Sequence, residues 1–271
     1  MKVFFRVKNI PGTNNTVPYN YNIANALDGA LQCGLECIPY QTVSEIIDKY
    51  MRGDIVLDGI EQVQYCLNKF HITVPELNYP KILEKYLGRR MWKDTINSIA
   101  SDESKWSAGN FVKPMKEKVF TGKVISSIKD LIGCGSCYED YEVWVSEPLD
   151  IIYECRGFVY YDKLIDLRPY KGDYKYIKYM DTNLIENAMK DWKDWRDRPN
   201  SCSLDFGVVC ECKDKNSGDS ITGNDYLYKT VLIEANTSYA LGCYGLMSID
   251  YIKLISAYIS QISGVKDELY F

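Results

Sequence analysis

The sequence predicts a mixed α and β protein in which a small α/β unit precedes a larger α+β body. Short apolar runs alternate with segments of helical spacing over residues 1–78, a pattern typical of a mostly parallel α/β unit. From Gly109 onward the pattern changes to strands separated by turn residues, which is typical of antiparallel sheets flanked by helices. We therefore divide the chain into residues 1–78 and residues 79–271.

The elements of the N-terminal unit follow from hydrophobic spacing. Apolar residues three and four positions apart, such as Ile23, Ala26 and Ala30, indicate a helix, and short apolar runs bounded by turn residues indicate strands. The unit contains no glycine-rich phosphate-binding motif. The predicted helices cover residues 22–34, 43–50 and 61–69, and the predicted strands cover residues 3–7, 37–40, 55–57 and 71–74.

The larger body begins with a basic connector, residues 79–100, which we predict to be helical. Its Arg89, Arg90 and Lys93 are interpreted as a solvated helix face in preference to a contact with an anionic ligand. The later strands are predicted over residues 109–115, 118–127, 141–151, 204–212 and 230–233, and a hairpin is predicted to turn at Asp162–Lys163. The later helices are predicted over residues 128–132, 183–195 and 249–263. Residues 213–225 are predicted to form a solvated loop.

Composition limits the class of protein. The chain has 271 residues, of which 25% are charged and 46% hydrophobic, and its net charge is −5. These values are ordinary for a globular protein, and the acidic balance does not favour a protein that coats nucleic acid. No apolar run is long enough to cross a bilayer, and the N-terminal run is too short for a signal peptide. We therefore expect a cytosolic protein (in the host's cytoplasm if viral) with reduced cysteines.

Histidine and cysteine chemistry are both disfavoured. His71 is the sole histidine and is interpreted as a half-buried strand residue, so a Ser-His-Asp triad is not expected. Cys134 with Cys137, and Cys210 with Cys212, only partly fit the spacing of a structural zinc site. We interpret these cysteines as small buried residues in preference to metal ligands.

One stretch organises the functional prediction. Thr230–Ile233 is a run typical of a buried strand, and it leads into Glu234 and Asn236. Because residues i and i+2 of a strand point to the same face, their carboxylate and amide oxygens are expected side by side. Such hard ligands suit Mg²⁺ that already carries waters and a nucleotide phosphate. On this stretch alone, a strand that ends in a polar turn is an equally good interpretation.

Upstream residues favour a site for a metal and a nucleotide. Lys113 lies in a predicted strand and is the kind of point charge that holds phosphates. Glu147 follows an apolar strand at a bend where backbone groups can bind an adenine edge, and Asp205 supplies another strand carboxylate. Taken alone, each residue has a purely structural explanation, as an exposed lysine, a carboxylate at a hinge or an aspartate at a strand end. Together, without a catalytic histidine, they indicate a metal–nucleotide site.

Four motifs resemble a known family in their order along the chain. They are FVKP at Phe111–Pro114, YECRGFV at Tyr153–Val159, DFGV at Asp205–Val208 and IEANTSYALGCYG at Ile233–Gly245. The chain resembles the ATP-grasp superfamily, in particular its phage and bacterial branch. That branch is also similar to the eukaryotic cell-division-cycle chaperones that assemble a translation initiation factor. The resemblance implies an ATP-grasp fold, two α+β subdomains clasping ATP, preceded by a small α/β pre-grasp domain.

The resemblance also implies roles for individual residues. Lys113 would contact the nucleotide phosphates, and Glu147 would lie at the hinge beside adenine and ribose. Glu154 and Arg156 match an E-x-R strand whose arginine faces the phosphates or the acyl-phosphate. The resemblance also implies Mg²⁺ ligands, which are Asp205, Glu234 and Asn236, and a loop that covers the phosphates and contains Lys118, Thr121 and Gly122. Arg168 would be a substrate clamp. Together with Lys113 and Arg156 it would form the catalytic set.

The activity implied by the resemblance is ligation with ATP and Mg²⁺. ATP activates a carboxylate as an acyl-phosphate, and an amine then opens it. Because such chemistry depends on charge neutralisation and positioning, it needs no histidine. The carboxylate and the amine are unidentified, and a protein tail, a peptide and an amino acid all stay open. The alternative is an assembly chaperone that binds ATP without ligase turnover.

Two further classes fit less well. A protein kinase would combine Lys113 with Asp205-Phe206-Gly207, but the sequence has no H-R-D-like catalytic loop and no G-x-G-x-x-G motif before the lysine. A nucleic-acid module would stack bases on some of the 23 tyrosines. Because these tyrosines are spread along an acidic chain, we interpret them as packing residues.

We predict that Lys113→Ala, Asp205→Ala and Glu234→Ala each abolish ATP turnover and leave the protein folded. Each of these side chains is expected to hold either a phosphate or the metal. Turnover is measured at saturating nucleotide, and folding is measured by circular dichroism. Wild-type turnover in any one variant would remove that residue from the site.

Overall fold

The computed structural model describes most of the chain. Within the described residues the backbone forms three β-sheets, two of them entirely antiparallel. The predicted loop over 213–225 lies outside them. No helix in the described ranges is both long and apolar enough to cross a membrane. The described ranges are 1–107, 109–116, 119–135, 139–212 and 226–271.

The N-terminal unit is built on three parallel strands. β1 (Lys2–Asn9) pairs with β2 (Thr16–Pro18) in antiparallel orientation and with β3 (Glu36–Tyr40) and β4 (Ile55–Leu57) in parallel. α1 (Tyr21–Gln32) connects β2 to β3, and α2 (Ile60–Asn68) follows β4. β4 is buried along its whole length, and β1 is buried at Val3, Phe4 and Val7, which explains the apolar residues of these strands. The predicted parallel α/β unit is therefore confirmed.

The predicted strand over residues 71–74 is wrong. His71 is exposed and has a φ of 56°, a left-handed conformation that interrupts extended backbone. Ile72 is buried in the core of the N-terminal unit. The apolar residues of this segment therefore serve packing and do not pair with a sheet.

The predicted helix over residues 43–50 is reduced to one 3₁₀ turn, Val43–Glu45. The Lys69 ammonium, just after α2, donates hydrogen bonds to the main-chain oxygens of Ile47, Asp48 and Tyr50. A side chain from another element thus satisfies carbonyls that a continued helix would have used. Local hydrophobic spacing carries no information about such a partner.

Four antiparallel strands form the first sheet of the larger body, in the spatial order β5-β8-β6-β7 given below. α3 (Ile96–Ser101) closes a small core on one face, where Val112 and Val145 are buried. Because side chains alternate along a strand, Lys113 and Trp144 point to the opposite face. The strands are β5 (Met91–Thr95), β6 (Asn110–Pro114), β7 (Lys123–Ile125) and β8 (Glu142–Ser146).

The predicted helix over residues 79–100 is wrong. This segment contains a 3₁₀ helix (Lys81–Tyr86), strand β5 and helix α3. β5 pairs with β8 along its whole length, so a distant partner strand overrides the local helical spacing. Arg89 and Arg90 therefore precede a strand and do not lie on a helix face.

Four longer antiparallel strands form the second sheet of the body. The helix α4 (Thr182–Asp194) packs against one face and buries Trp192. β9 and β10 form the predicted hairpin, but its turn residues are Tyr161 and Asp162, because Lys163 already pairs with Tyr160. In spatial order the strands are β10 (Lys163–Gly172), β9 (Ile151–Tyr160), β11 (Ser201–Cys212) and β12 (Tyr226–Thr237).

The last helix, α5 (Ser248–Ser263), returns to the N-terminal unit. Its apolar residues share one core with β1, β4 and α1. Gly29 in α1 lies against the start of α5, where a Cβ at this position would be 2.0 Å from the main-chain oxygen of Ser248. The division at residue 78 stays a prediction, and this core extends across it.

We predict that Gly29→Ala lowers the free energy of unfolding by about 1–3 kcal/mol, because the added Cβ forces α1 and α5 apart. In an open helix the same change would stabilise by about 1 kcal/mol, since alanine is the better helix former. The two effects have opposite signs. Urea unfolding measures the difference, and a variant more stable than the wild-type protein would contradict the close packing.

Candidate functional site

A cavity of about 430 Å³ lies between the two sheets of the larger body. The connection from β8 to β9, residues 147–150, joins the two sheets and forms part of the wall. The volume is within the range of small-molecule sites. The wall contains the apolar residues Phe111, Val124, Leu149, Ile151 and Ile233 and the charged residues Arg89, Lys123, Glu147, Asp150, Glu154, Lys171 and Glu234.

A row of charged side chains crosses the second sheet from this cavity. Arg156 in β9 is opposite Asp205 in β11, and Asp205 is opposite Glu234 in β12. Residues opposite each other in antiparallel strands share a face, so the three side chains lie side by side. Arg168 in β10 continues the row beside Arg156, but its guanidinium donates to Asp166 at 2.7 Å.

Arg156 and Asp205 form the buried part of this row. Arg156 Nε and Nη2 donate to the two carboxylate oxygens of Asp205 at 2.8 and 2.7 Å, a bidentate geometry. The two side chains are 10% and 2% exposed. Burial raises the pKa of the Asp205 carboxyl, and the neighbouring Arg156 acts against this rise. Arg156 stays a cation because Asp205 raises its pKa against the effect of burial.

Glu234 connects the second sheet to the first through an ion pair. Its Oε2 accepts a hydrogen bond from Lys113 Nζ in β6 at 2.6 Å, and its Oε1 accepts one from Asn236 Nδ2 at 3.1 Å. Burial acts to raise the pKa of Glu234, but Lys113 and Asn236 outweigh it and hold the pKa below its ordinary value. The predicted shared face of Glu234 and Asn236 is confirmed.

The amide of Asn236 is turned differently from the sequence prediction. Its nitrogen, and not its oxygen, faces Glu234 and also donates to Asp205 at 3.4 Å. Two carboxylates are acceptors, so the amide nitrogen is the atom that can satisfy both. Asn236 therefore links the two carboxylates.

A β-bulge aims Glu234 at the cavity. Asp205 is opposite Glu234, but the next residue, Phe206, is opposite Leu232, so Ile233 is an extra residue in β12. Adjacent residues of a regular strand point to opposite faces. Ile233 and Glu234 instead both line the cavity. The bulge thus gives Glu234 its direction.

Arg89, which the sequence interpretation assigned to a solvated helix face, lies in the cavity wall. Its guanidinium donates to the main-chain oxygens of Ile233 at 2.9 Å and Leu232 at 3.4 Å, which are the residues of the bulge. The guanidinium carbon is 5.8 Å from the centre of the Tyr79 ring. An arginine that binds main-chain oxygens requires no partner motif, so the sequence carried little signal for it.

Glu154 and Glu147 both lie in the cavity wall. Glu154 accepts a hydrogen bond from Lys171 of the neighbouring strand β10, a cation that the sequence interpretation missed. Glu147 Oε2 accepts a hydrogen bond from the main-chain nitrogen of Arg90 at 3.2 Å, which ties the connection between the sheets to the start of β5. The nucleotide-binding roles of the two glutamates stay predictions.

The predicted phosphate-covering loop is described in part. Gly122 packs against the first sheet, where a Cβ would lie 3.2 Å from Lys113 Cβ and 2.7 Å from the Phe111 ring. Thr121, which precedes it, is exposed. Lys118 lies outside the described residues. Gly122 thus adjoins Lys113, and the loop's role stays a prediction.

A second cavity, of about 370 Å³, lies between the N-terminal unit and the end of β12. Glu61 and Gln64 of α2 line it, together with residues 74–78 and Asn236. A smaller cavity of about 160 Å³ is lined by Arg156, Asn236 and residues 240–242. Asn236 therefore borders two cavities next to the charge row.

The cysteines add no metal site to the described part of the chain. Cys134 is buried in the core beside α3, and its Sγ donates to the main-chain oxygen of Asp130 at 3.3 Å. Cys137 and the side chain of Cys212 lie outside the described residues. Among the residues described, no three Asp, Glu, His or Cys side chains converge.

A family model matches the larger body. Residues 86–254, more than half of the chain, match the ATP-grasp domain, R2K clade family 2. The chain belongs to this ATP-grasp family. The superfamily resemblance carried by the four motifs is therefore confirmed, and ATP-dependent ligation is the class of activity associated with the family.

Solved structures of other proteins align with nearly all of this chain. N5-carboxyaminoimidazole synthetase of Staphylococcus aureus, complexed with ADP, aligns over 98% of this chain and 77% of its own, with 10% identity and a TM-score of 0.50. D-alanine–D-alanine ligase of Bacillus anthracis aligns over 97% and 99%, with 12% identity and a TM-score of 0.49. No curated protein matches the sequence. The predicted ATP-grasp fold of mixed α+β content is confirmed.

The residues at the end of the charge row fit the Mg²⁺ that ATP-grasp ligation implies. Asp205 and Glu234 carry carboxylate oxygens, which are hard ligands, and both accept hydrogen bonds from the Asn236 amide nitrogen, so Asn236 would have to turn its amide to offer an oxygen. Two carboxylates are few for a site made of protein alone, so phosphate oxygens and waters would complete the coordination. Lys113 and Arg156 each form an ion pair with one of the two carboxylates.

The structure changes the expected behaviour of Asp205→Ala. Removal of the carboxylate leaves Arg156 buried without its bidentate partner, which costs about 3–5 kcal/mol. We predict that Asp205→Asn, which retains an acceptor, unfolds at a higher urea concentration than Asp205→Ala, and that both lose ATP turnover. Urea unfolding and a turnover assay measure the two effects separately.

Asp166→Ala is the matched control, because it removes the carboxylate of the more exposed Arg168–Asp166 pair in the same sheet. Pairs of this kind contribute about 0–1 kcal/mol. We expect a correspondingly small change in stability. Wild-type stability of Asp205→Ala would contradict the energetic importance of the buried pair.

Proposed function

We propose that this protein is an ATP- and Mg²⁺-dependent ligase that activates a carboxylate as an acyl-phosphate and joins it to an amine. The supporting observation is the charge row beside the cavity between the sheets. Lys113 and Arg156 supply the cations, and Asp205 and Glu234 supply the carboxylates. Membership of the ATP-grasp family supports ATP as the nucleotide.

The nucleotide is proposed to occupy the cavity between the two sheets. Phe111 and Ile233 offer apolar surface to a purine, and Glu147 lies in the connection that we assign to the adenine and ribose. Lys113, which contacts Glu234, would turn to the phosphate oxygens. When bound by Asp205, Glu234 and Asn236, Mg²⁺ supplies charge neutralisation at those oxygens.

Arg156 is proposed to bind the reacting carboxylate or the acyl-phosphate. Asp205 fixes the plane of the guanidinium, and the Tyr244 ring lies 5.1 Å from its central carbon. Its orientation is therefore set before the substrate arrives, which reduces the entropic cost of reaction. Arg168, the proposed substrate clamp, would have to exchange Asp166 for the substrate.

The proposed reaction has two steps. A carboxylate oxygen attacks the γ-phosphorus, and the bond from that phosphorus to the β–γ bridging oxygen breaks to release ADP. The amine nitrogen then attacks the acyl carbon, phosphate leaves, and the nitrogen loses a proton as the amide forms. Negative charge moves among oxygens in both steps, so fixed cations at the phosphate end stabilise the transition states.

The substrate classes belong to the same proposal. The 370 Å³ cavity beside Asn236 offers space for a small amine or for the end of a peptide or protein. An amino acid, a peptide and a protein tail are therefore the classes to test. The cytosolic setting and the phage branch inferred from the sequence are part of this proposal too. An assembly chaperone would use the same nucleotide site without amine-dependent turnover.

We predict that a non-hydrolysable ATP analogue binds in the micromolar range with Mg²⁺, and that Glu234→Ala loses the Mg²⁺-dependent part of the affinity. Glu234 is expected to hold the metal, so its removal affects the binding that depends on Mg²⁺. Isothermal titration with and without Mg²⁺ measures the affinities. Absence of binding to the wild-type protein would overturn the proposal.

Glu211→Ala is the matched control, because Glu211 forms an exposed ion pair with Lys229 on the same two strands. This variant should bind the analogue as the wild-type protein does. ADP release is then measured with candidate carboxylates and with hydroxylamine as the amine, which converts an acyl-phosphate into a hydroxamate. Amine-dependent ADP release favours the ligase, whereas tight binding without it favours the chaperone.

A further inference from the structure

The chain between the N-terminal unit and the larger body passes through the candidate site. Residues 74–78 line the 370 Å³ cavity, and the last of them, Asn78, contacts both sheets. Its main-chain oxygen accepts a hydrogen bond from Ala235 N in β12 at 2.8 Å. Its side-chain Oδ1 accepts one from Lys113 Nζ in β6 at 3.2 Å.

The other contacts of Asn78 fix the orientation of its amide. Nδ2 donates to Glu76 Oε2 at 3.1 Å, so the oxygen is the atom directed at Lys113. The backbone of Asn78 has a φ of 42°, a left-handed conformation that asparagine tolerates better than most residues. The residue is therefore held in a sparsely populated conformation by contacts on both its main chain and its side chain.

Two hydrogen-bond acceptors of Lys113, Glu234 and Asn78, are expected to behave differently when a nucleotide binds. Besides Asn78 Oδ1, the ammonium contacts Glu234 Oε2 at 2.6 Å and lies 5.7 Å from the centre of the Tyr79 ring. Glu234 is a proposed metal ligand and has to release the lysine when a metal–nucleotide complex binds. The Asn78 oxygen is neutral and is not among the proposed metal ligands, so this contact can persist.

We propose that Asn78 is a positioning residue that holds the ammonium of Lys113 at the phosphate end of the cavity while Glu234 turns to the metal. The inference rests on the proposed nucleotide-binding function and adds a residue outside the matched ATP-grasp region, residues 86–254. Because residues 74–78 also form a wall of the second cavity, an acceptor bound there touches the segment that positions Lys113.

The test is Asn78→Gly. Glycine adopts a positive φ without strain, so the main-chain bond to Ala235 is retained while the amide is removed. We expect the affinity for the Mg²⁺ complex of the β,γ-imido analogue of ATP to fall about tenfold, the value of one hydrogen bond to a charged group. Affinity for adenosine, which has no phosphate, should be unchanged. Isothermal titration measures both.

A double variant separates positioning from a general structural effect. In a Lys113→Ala background, Asn78→Gly should cause no further loss of affinity, because the group that Asn78 positions is gone. His71→Gly is the matched control, since it removes an exposed side chain from another left-handed position in the same unit, at φ 56°. We expect wild-type affinity from it, with circular dichroism confirming folding of all variants.

The outcomes distinguish this inference from the proposed function. If the wild-type protein fails to bind the analogue, the proposed function fails. If the wild-type protein binds and Asn78→Gly binds equally well, the inference is overturned and the nucleotide site stands. An equal loss of adenosine affinity, or an equal loss in the Lys113→Ala background, would also overturn it, because either result indicates a general structural role.

Discussion

The buried ion pair of Arg156 and Asp205 constrains the rest of the candidate site. Two charges removed from water are tolerated only when each satisfies the other, so β9 and β11 have to keep the register that places them opposite each other. That register also sets Asp205 against Glu234 on the next strand. Glu234 then reaches Lys113 of the other sheet, so one pairing fixes the order of charges across the cavity.

The orientation of the charged side chains depends on contacts with the main chain as much as on contacts between side chains. The bulge at Ile233 turns Glu234 toward the cavity, and Arg89 satisfies the main-chain oxygens of Leu232 and Ile233 there. Asn78 makes comparable contacts, because its main chain binds β12 while its side chain binds Lys113. Loops and connectors thus supply the supporting contacts, and strands supply the charged groups.

The residues found from sequence share one property: their chemistry is visible in a short segment. Glu234 and Asn236 are two positions apart on a strand, so their shared face follows from local geometry, and the structure confirms it. Arg89 was assigned to a solvated helix face and Asn78 was not identified, because their partners are main-chain or side-chain atoms far along the chain. The helix predicted over residues 79–100 was wrong for the same reason, since β5 in this segment pairs with the distant strand β8.

The sequence by itself determined the alternation of strands and helices in the N-terminal unit and the antiparallel strands of the body. It also determined the ATP-grasp family, through four motifs in their order along the chain. Those features depend on hydrophobic spacing and on residue types within short segments. Tertiary structure alone decided that Lys113 meets Glu234, that Asp205 is neutralised by Arg156, and that α5 completes the core of the N-terminal unit. Such contacts join residues distant in sequence, and their energies depend on burial and register, which exist only once the chain has folded.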